Sequence, residues 1–360
     1  MALTKKAFPL VLLLLLLSVP SSAAKEAAPA MMSLDECIER ALAGHPDLAA
    51  GRADMAASEA RTGQIRAGYS PSMSFSSGFS ERSSPGSGSS EGSWSSGLTL
   101  SQVVSDWGRT HISLRRSLLD AEGKALALEA KRSDIIFEVT RSYYQVLKTM
   151  KNLEVAEESL ALNDERLGQA EAFFEVGRVS KYDVTAARVS RSNASLALVQ
   201  AGTALKEAMT SLKAAIGSPG MPDFSLAEVA DGQGSLPPTS LPLLEVALDY
   251  ALGNRPDLEI YRVNLASAEA AATLAGLDNA PKLDLSAGYG WGSTDFWGQD
   301  SWRAGLTLSF HLFDGGLRRE KIREAGANVE GAEARLESYR QQVMKDVTNA
   351  WLAASDSAEV

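Results

Sequence analysis

The sequence predicts a mainly α-helical fold with a β-barrel contribution: a duplicated helix-strand-strand-helix-helix unit with four barrel strands per chain and very long coiled-coil helices. Three observations carry this. First, at a fixed shift of 210 residues Ala41, Leu42, Pro46, Asp47, Leu48, Glu59, Pro71 and Gly78 recur as Ala251, Leu252, Pro256, Asp257, Leu258, Glu269, Pro281 and Gly288. The shift then drops to 208, and Ser93, Trp94, Gly97, Leu98, Asp106 and Gly108 reappear as Ser301, Trp302, Gly305, Leu306, Asp314 and Gly316. The change falls in a Ser/Gly-rich link, where length is easily altered. Second, each copy holds two segments whose apolar residues alternate. Third, a helical period runs almost without break from Asp106 to about residue 216.

Residues 1–24 read as a cleaved export signal. Lys5 and Lys6 give the positive start, Val11 to Leu17 the apolar run, and Ser22-Ala23-Ala24 a small-residue cleavage site. The run is short of the ~20 apolar residues of a spanning helix. Cys37 is the only cysteine and stands in Asp35-Glu36-Cys37, so no internal disulfide forms and the setting is unlike a lipid-attachment site. A formal charge of −10 argues against nucleic acid as a partner, because phosphate neutralisation needs clustered Lys and Arg.

The first repeat is expected over 33–216. It opens with helical residues from Ser33 to about Gly68, where Ser33 and Glu36 form a capping-box pattern and His45-Pro46 breaks the helix. Strands follow at about 69–80 and 94–104. Tyr69, Met73, Phe75 and Phe79 take odd positions in the first, and Trp94, Leu98 and Leu100 take even positions in the second. Long helices are expected at about 109–176 and 181–216. Ile136, Val139, Tyr143, Val146, Met150, Leu153 and Leu160 keep a three-four spacing with Glu157 as a polar lapse. Val184, Ala187, Ala194, Leu198, Ala201, Leu205 and Leu212 form a second seam beyond a turn near Gly177. Together they describe an antiparallel two-stranded arm.

Residues 217–242 hold five of the thirteen prolines and form a linker with one small docked element. The second repeat, 243–360, carries strands at about 281–292 and 301–312. Tyr289 and Trp291 lie on the apolar side of its first strand; Trp302, Leu306, Leu308 and Phe310 lie on that of its second. Asp284, Ser286 and Gly288, with Arg303, Gly305 and Thr307, take the opposite face. One face suits lipid and the other water, and a strand of about ten residues spans the hydrocarbon layer when tilted. A half-buried strand in a soluble sandwich has the same alternation. Four strands are too few to close a barrel, so the chain must associate; two copies give eight strands and three give twelve.

Catalysis is not expected. Gly88-Ser89-Ser90-Glu91-Gly92 matches a nucleophile elbow in letters, but it sits in low-complexity serine ahead of another strand. His45, His111 and His311 are scattered singly, with no metal-ligand spacing, and no cofactor is implied.

This order of elements resembles the outer membrane efflux protein family, the TolC-like outer membrane channels. The most specific match is Phe174-Glu175-Val176-Gly177-Arg178-Val179-Ser180-Lys181-Tyr182-Asp183-Val184 at the arm turn, joined by Asn254-Arg255-Pro256-Asp257-Leu258 and Leu312-Phe313-Asp314-Gly315-Gly316. The resemblance implies a homotrimer whose twelve strands form one outer-membrane barrel, continued into the periplasm by a helical tunnel. It implies partners too: outer membrane lipids, a periplasmic adaptor (membrane fusion protein) and an inner-membrane pump. Such a channel serves efflux or type I secretion as a passive conduit. Asp183 matches the position whose carboxylate helps hold the periplasmic entrance closed, with Tyr182 and Gly177 beside it; the other reading is that Asp183 caps a helix. Tyr69, Phe75, Trp94, Tyr289, Trp291, Trp302 and Phe310 become the lipid-facing girdle, and Asp284 and Arg303 face the pore. Residue 360 corresponds to 152 of the first copy, so 153–216 have no counterpart, whether in a fragment of a longer gene or a naturally short chain. A poor or permanently leaky channel is expected of a chain ending there. A soluble periplasmic coiled-coil scaffold is the alternative from a different class.

Overall fold

The proline that breaks the opening helix of each copy also starts the next one. In this computed structural model, which describes residues 31–83, 90–222, 224–227, 241–293 and 299–359, α1 (Leu34–Gly44) and α2 (Pro46–Ala67) meet at His45. In the second copy α5 (Leu244–Asn254) and α6 (Pro256–Gly276) meet at Arg255. His45 and Arg255 are both extended, as a residue before proline should be, and the prolines take the first helical position, where their missing N–H is harmless. The predicted capping box forms: Glu36 N–H donates to Ser33 Oγ at 3.3 Å, and Ser33 N–H donates to Glu36 Oε2 at 2.9 Å. The signal segment 1–24 lies outside the described residues.

β2 (Ser72–Ser83) and β3 (Ser90–Ser105) follow α2, and β5 (Lys282–Ser293) and β6 (Gln299–Ser309) follow α6. They form one sheet in the order β2-β3-β5-β6, with every neighbour antiparallel. β3 runs into α3 (Arg109–Glu175), and β6 runs into α7 (Leu317–Glu359). The helices attached to the strands pack in the same lateral order, α2 on α3, α3 on α6 and α6 on α7. Each strand therefore continues into its own helix.

At their hairpin ends the strands run longer than expected, β2 to Ser83 and β3 from Ser90; at their helix ends β2 and β6 run shorter, and proline explains both. Tyr69 lies in the turn after α2, because Pro71 has no N–H for the ladder and β2 starts at Ser72. Phe310 lies one residue past β6: the last pair is Lys282↔Ser309, and the residue before Lys282 is Pro281. His311 and Leu312 also fall beyond the strand.

The strand-to-helix turns repeat atom for atom. Asp106 Oδ1 accepts from Gly108 N at 3.1 Å and Oδ2 from Thr110 N at 2.7 Å; Asp314 accepts from Gly316 N and Arg318 N, both at 2.9 Å. Gly108 and Gly316 have φ of 94° and 93°, a region closed to side chains at low strain. Between the aspartate and the glycine stands Gly315 in one copy, but Trp107, at φ 54°, in the other. A cluster found only in the second copy ties the repeats together. Asp278, in the turn after α6, accepts from Arg109 at 3.0 Å and from Lys321 at 2.5 Å. These two cations hold its carboxyl below the usual aspartate range, Lys321 foremost.

α3 is 67 residues long, roughly 100 Å at 1.5 Å per residue, and α4 (Lys181–Ala215) returns along it. The α4 seam is as expected, but the α3 seam is shifted. Ile135 is buried in place of Ile136, and Thr149 in place of Met150. Farther out Leu153, Ala156, Leu160, Asn163 and Leu167 are half-buried while Glu157 is exposed, so Glu157 does not interrupt the seam. The main core lies where α1, α3 and α4 meet, around Cys37, Val139, Tyr143, Val146, Leu212 and Ile216. Burial pushes the Cys37 thiol up to about 11, so it remains protonated and inert. Part of the linker docks here: β4 (Ser225–Leu226) pairs in parallel with β1 (Met31–Met32), and Tyr143 Oη donates to the Ala227 carbonyl at 2.7 Å.

Leu212→Ala should lower unfolding stability by about 2–5 kcal/mol, whereas Val199→Ala on the exposed face of the same helix should change it by less than about 0.5 kcal/mol. Denaturant titration followed by far-UV circular dichroism compares the two.

Candidate functional site

The sheet is two-faced because its side chains alternate and its four strands share register. Phe75 pairs with Leu98, Leu98 with Tyr289, and Tyr289 with Trp302. Met73, Leu100, Ala287 and Ala304 form the adjoining row, and Phe79 pairs with Trp94 toward the hairpin end. Nothing among the described residues covers this face: Phe75 is 61% exposed, Leu308 62% and Trp302 80%. That removes these side chains from any core of the single chain. Aromatic contacts knit the surface, with Phe79 and Trp94 centroids 5.1 Å apart and Phe75 and Trp291 6.2 Å apart. Of the seven predicted girdle residues, Phe75, Trp94, Tyr289, Trp291 and Trp302 lie on this strand face, while Tyr69 and Phe310 flank its helix end.

At that helix end the structure adds two aromatics that a period of two does not reach. Trp107 is 51% exposed and Phe313 89% exposed, both in the turns past the strands. The readable signal for Trp107 was its repeat partner, since a tryptophan replaces the glycine found at 315.

The opposite face carries Asp284 and Arg303 among Ser, Gly and Thr. Asp284 accepts from Lys282 Nζ at 2.9 Å, and Arg303 has no ion-pair partner among the described residues. β2 and β6 are the outer strands, and neither has a second strand neighbour among the described residues.

The far end of the arm is a tight turn fixed from both sides. Gly177, at φ 73°, lets Arg178 N–H donate to the Phe173 carbonyl at 2.8 Å and Gly177 N–H to the Phe174 carbonyl at 2.9 Å. This pair of bonds is the Schellman closure of a helix C-terminus. α4 then starts with a capping box: Ser180 N–H donates to Asp183 Oδ2 at 2.8 Å, Ser180 Oγ donates to the same oxygen at 2.7 Å, and Asp183 N–H donates to Ser180 Oγ at 3.4 Å. These bonds from the Ser180 hydroxyl and amide lower the Asp183 carboxyl below its usual range. The structure thus brings Gly177, Tyr182 and Asp183 into one turn, with Ser180 as the cap of α4 and Asp183 as its partner in the capping box. Tyr182 is 78% exposed, and Phe173, Phe174 and Val176 beside it are uncovered as well. Among the described residues no cluster of His, Cys, Asp and Glu could hold a metal ion.

Comparison with known proteins agrees with this architecture. The chain matches the outer membrane efflux protein family over residues 37–218 and 247–360. It is 31% identical over 320 residues to Protein CyaE of Bordetella pertussis, covering 86% of this chain and 66% of that protein. The chain spans 55–66% of the length of the curated relatives it matches. A crystal structure of a membrane protein from Pseudomonas aeruginosa superposes with a TM-score of 0.78 at 20% identity, over 92% of this chain and 76% of that one. The outer membrane protein VceC from Vibrio cholerae gives 0.75 at 17%, over 89% and 79%. Family match, fold and two-faced sheet converge: this chain belongs to the outer membrane efflux protein family.

Proposed function

We propose that the protein is the outer-membrane channel component of a tripartite efflux or type I secretion system, a passive conduit that catalyses no reaction. It acts as a homotrimer in the outer membrane of a Gram-negative bacterium, with its helices in the periplasm, after export through a cleaved signal peptide. The observation that carries this reading is a four-stranded antiparallel sheet that, among the described residues, has an uncovered apolar face and two free edges, each strand continuing into a helix. Twelve residues at about 3.4 Å each, tilted near 40°, rise roughly 30 Å, the thickness of the hydrocarbon core. In lipid the free edges must be paired, and β6 of one copy against β2 of the next closes three copies into a twelve-stranded barrel. Tyr69, Trp107, Phe310 and Phe313 then stand at one interface, and Phe79, Trp94 and Trp291 at the other. Solved relatives include the MtrE outer membrane channel of Neisseria gonorrhoeae.

At the arm tip, Gly177 supplies the turn and Asp183 a ring of three carboxylates that narrows the entrance. The uncovered Phe173, Phe174, Val176 and Tyr182 are where a periplasmic adaptor docks, linking the conduit to an inner-membrane pump.

Leu98→Arg, at mid-height on the apolar face, should disfavour insertion by about 2–4 kcal/mol and empty the membrane fraction, while Ser76→Arg on the other face should be recovered there as wild type. Recovery of wild-type mature protein in the soluble periplasm without detergent would instead support a scaffold.

Single-channel recording separates gate from cap at the tip. Asp183→Asn should raise conductance, and Ser180→Ala, which removes the capping partner but keeps the charge, should not. Because the folded Asp183 pKa is depressed, its charge persists as pH falls through the ordinary aspartate range and is lost only below it. Acid opening should therefore come at lower pH than for an unassisted carboxylate, and Ser180→Ala should move it upward.

A further inference from the structure

The polar face of the sheet, which lines the lumen in the channel proposed above, is built almost wholly from side chains that carry no charge. Across β2 and β3 it presents Ser74, Ser76 and Gly78 opposite Thr99, Gly97 and Ser95. Serines, glycines and Thr307 continue it across β5 and β6. Among the described residues the charged positions on this face are few. Arg82 and Glu91 take opposed register positions next to the hairpin. Lys282 and Asp284 are ion-paired at 2.9 Å. Arg303 remains, exposed and with no ion-pair partner among the described residues.

Its surroundings give Arg303 a defined posture. It stands opposite Gly288, and a Cβ built on that glycine would come 3.4 Å from Arg303 Cγ and 3.8 Å from Cδ. The aliphatic stem thus lies over the bare backbone of β5, at ordinary contact distance from where a methyl at 288 would sit. The next strand over offers Thr99 at the same level, again uncharged.

We infer that Arg303 sets the charge preference of the barrel and favours anionic solutes, while Asp284 adds nothing net because Lys282 neutralises it. This rests on the channel reading. Twelve strands about 4.8 Å apart and tilted near 40° close around roughly 24 Å, which puts the guanidinium groups on the order of 8 Å from the axis. The screening length is about 10 Å at 0.1 M salt and about 3 Å at 1 M. Three such cations in a watery lumen shift the anion-to-cation ratio about threefold at the lower salt and hardly at all at the higher.

The full chain, reconstituted in planar bilayers under a potassium chloride gradient near 0.1 M, gives this ratio as a reversal potential. Arg303→Gln should lower the chloride-to-potassium permeability ratio by about threefold. Arg303→Lys should retain it, and the double variant K282Q/D284N should match wild type. At about 1 M salt the variants should coincide. Arg303→Gln channels that conduct with the wild-type ratio at low salt would overturn the inference, as would an equal shift in the double variant. Absence of current from the wild-type chain would instead defeat the channel reading, and this one with it.

Discussion

Inside a bilayer no water meets a backbone N–H or C=O, and that requirement governs the rest of this architecture. Among the described residues no helix is long and apolar enough to cross a membrane; in the channel proposed above the crossing is made by the four strands. A strand satisfies its polar backbone only through neighbours. β3 and β5 have two each, whereas β2 and β6 have one, so an isolated sheet carries two unfinished edges. Pairing those edges between copies, as in the proposed channel, lets the apolar face meet lipid without leaving backbone groups unmet. The oily face and the free edges are thus two aspects of one design: neither is tolerable in a solitary soluble molecule, where both invite aggregation.

Duplication supplies the four strands, and the copies have diverged where they do different work. Lys131 in the first copy pairs with Asp47 at 2.7 Å; the residue at the matching place in the second is Tyr339, whose hydroxyl donates to Asp257 at 2.5 Å and whose ring stacks on Tyr261. Burial alone would raise the Asp257 carboxyl, but the bonds from Tyr339 and Arg255 outweigh it and hold it low. A surface ion pair in one copy has become a packed, partly buried aromatic contact in the other. The Asp278 clamp has no counterpart at Gly68, which stands at the matching position of the first copy. It joins α3 of one repeat to α7 of the other, both of which also pack on and hydrogen-bond to α6.

Much of this was legible in the sequence, because periods and turn residues act locally. The strand faces followed from alternation at Phe75, Leu98, Tyr289 and Leu306, the helix breaks from Pro46 and Pro256, and the arm turn from Gly177 with Ser180 and Asp183. What was misread depended on distance. The end of β6 is set by Pro281, which precedes the neighbouring strand β5. The α3 seam slipped by one residue at Ile135 and Thr149 because a straight helix drifts about 20° per heptad against a 3.5-residue repeat. At Glu157 the same drift brings Ala156 into the seam. Trp107 and Asp278 were invisible to periodicity, since one sits in a turn and the other is held by cations far off in the chain. The function came from the order of motifs, and the geometry supplied the faces on which it operates.

The one-to-one succession of strand and helix has a geometric corollary. A strand spaced at about 4.8 Å and tilted near 40° takes up roughly 6 Å of perimeter, whereas a packed helix takes up about 8–10 Å. Girth must therefore grow by about half between the sheet and the helices beneath it. The junctions are where each chain can take up that difference, because two successive residues there, Trp107-Gly108 and Gly315-Gly316, adopt left-handed backbone conformations. In the proposed channel the wall would then take the form of a bottle, narrow at the neck and broad at the shoulder, with glycine at the steps where it widens.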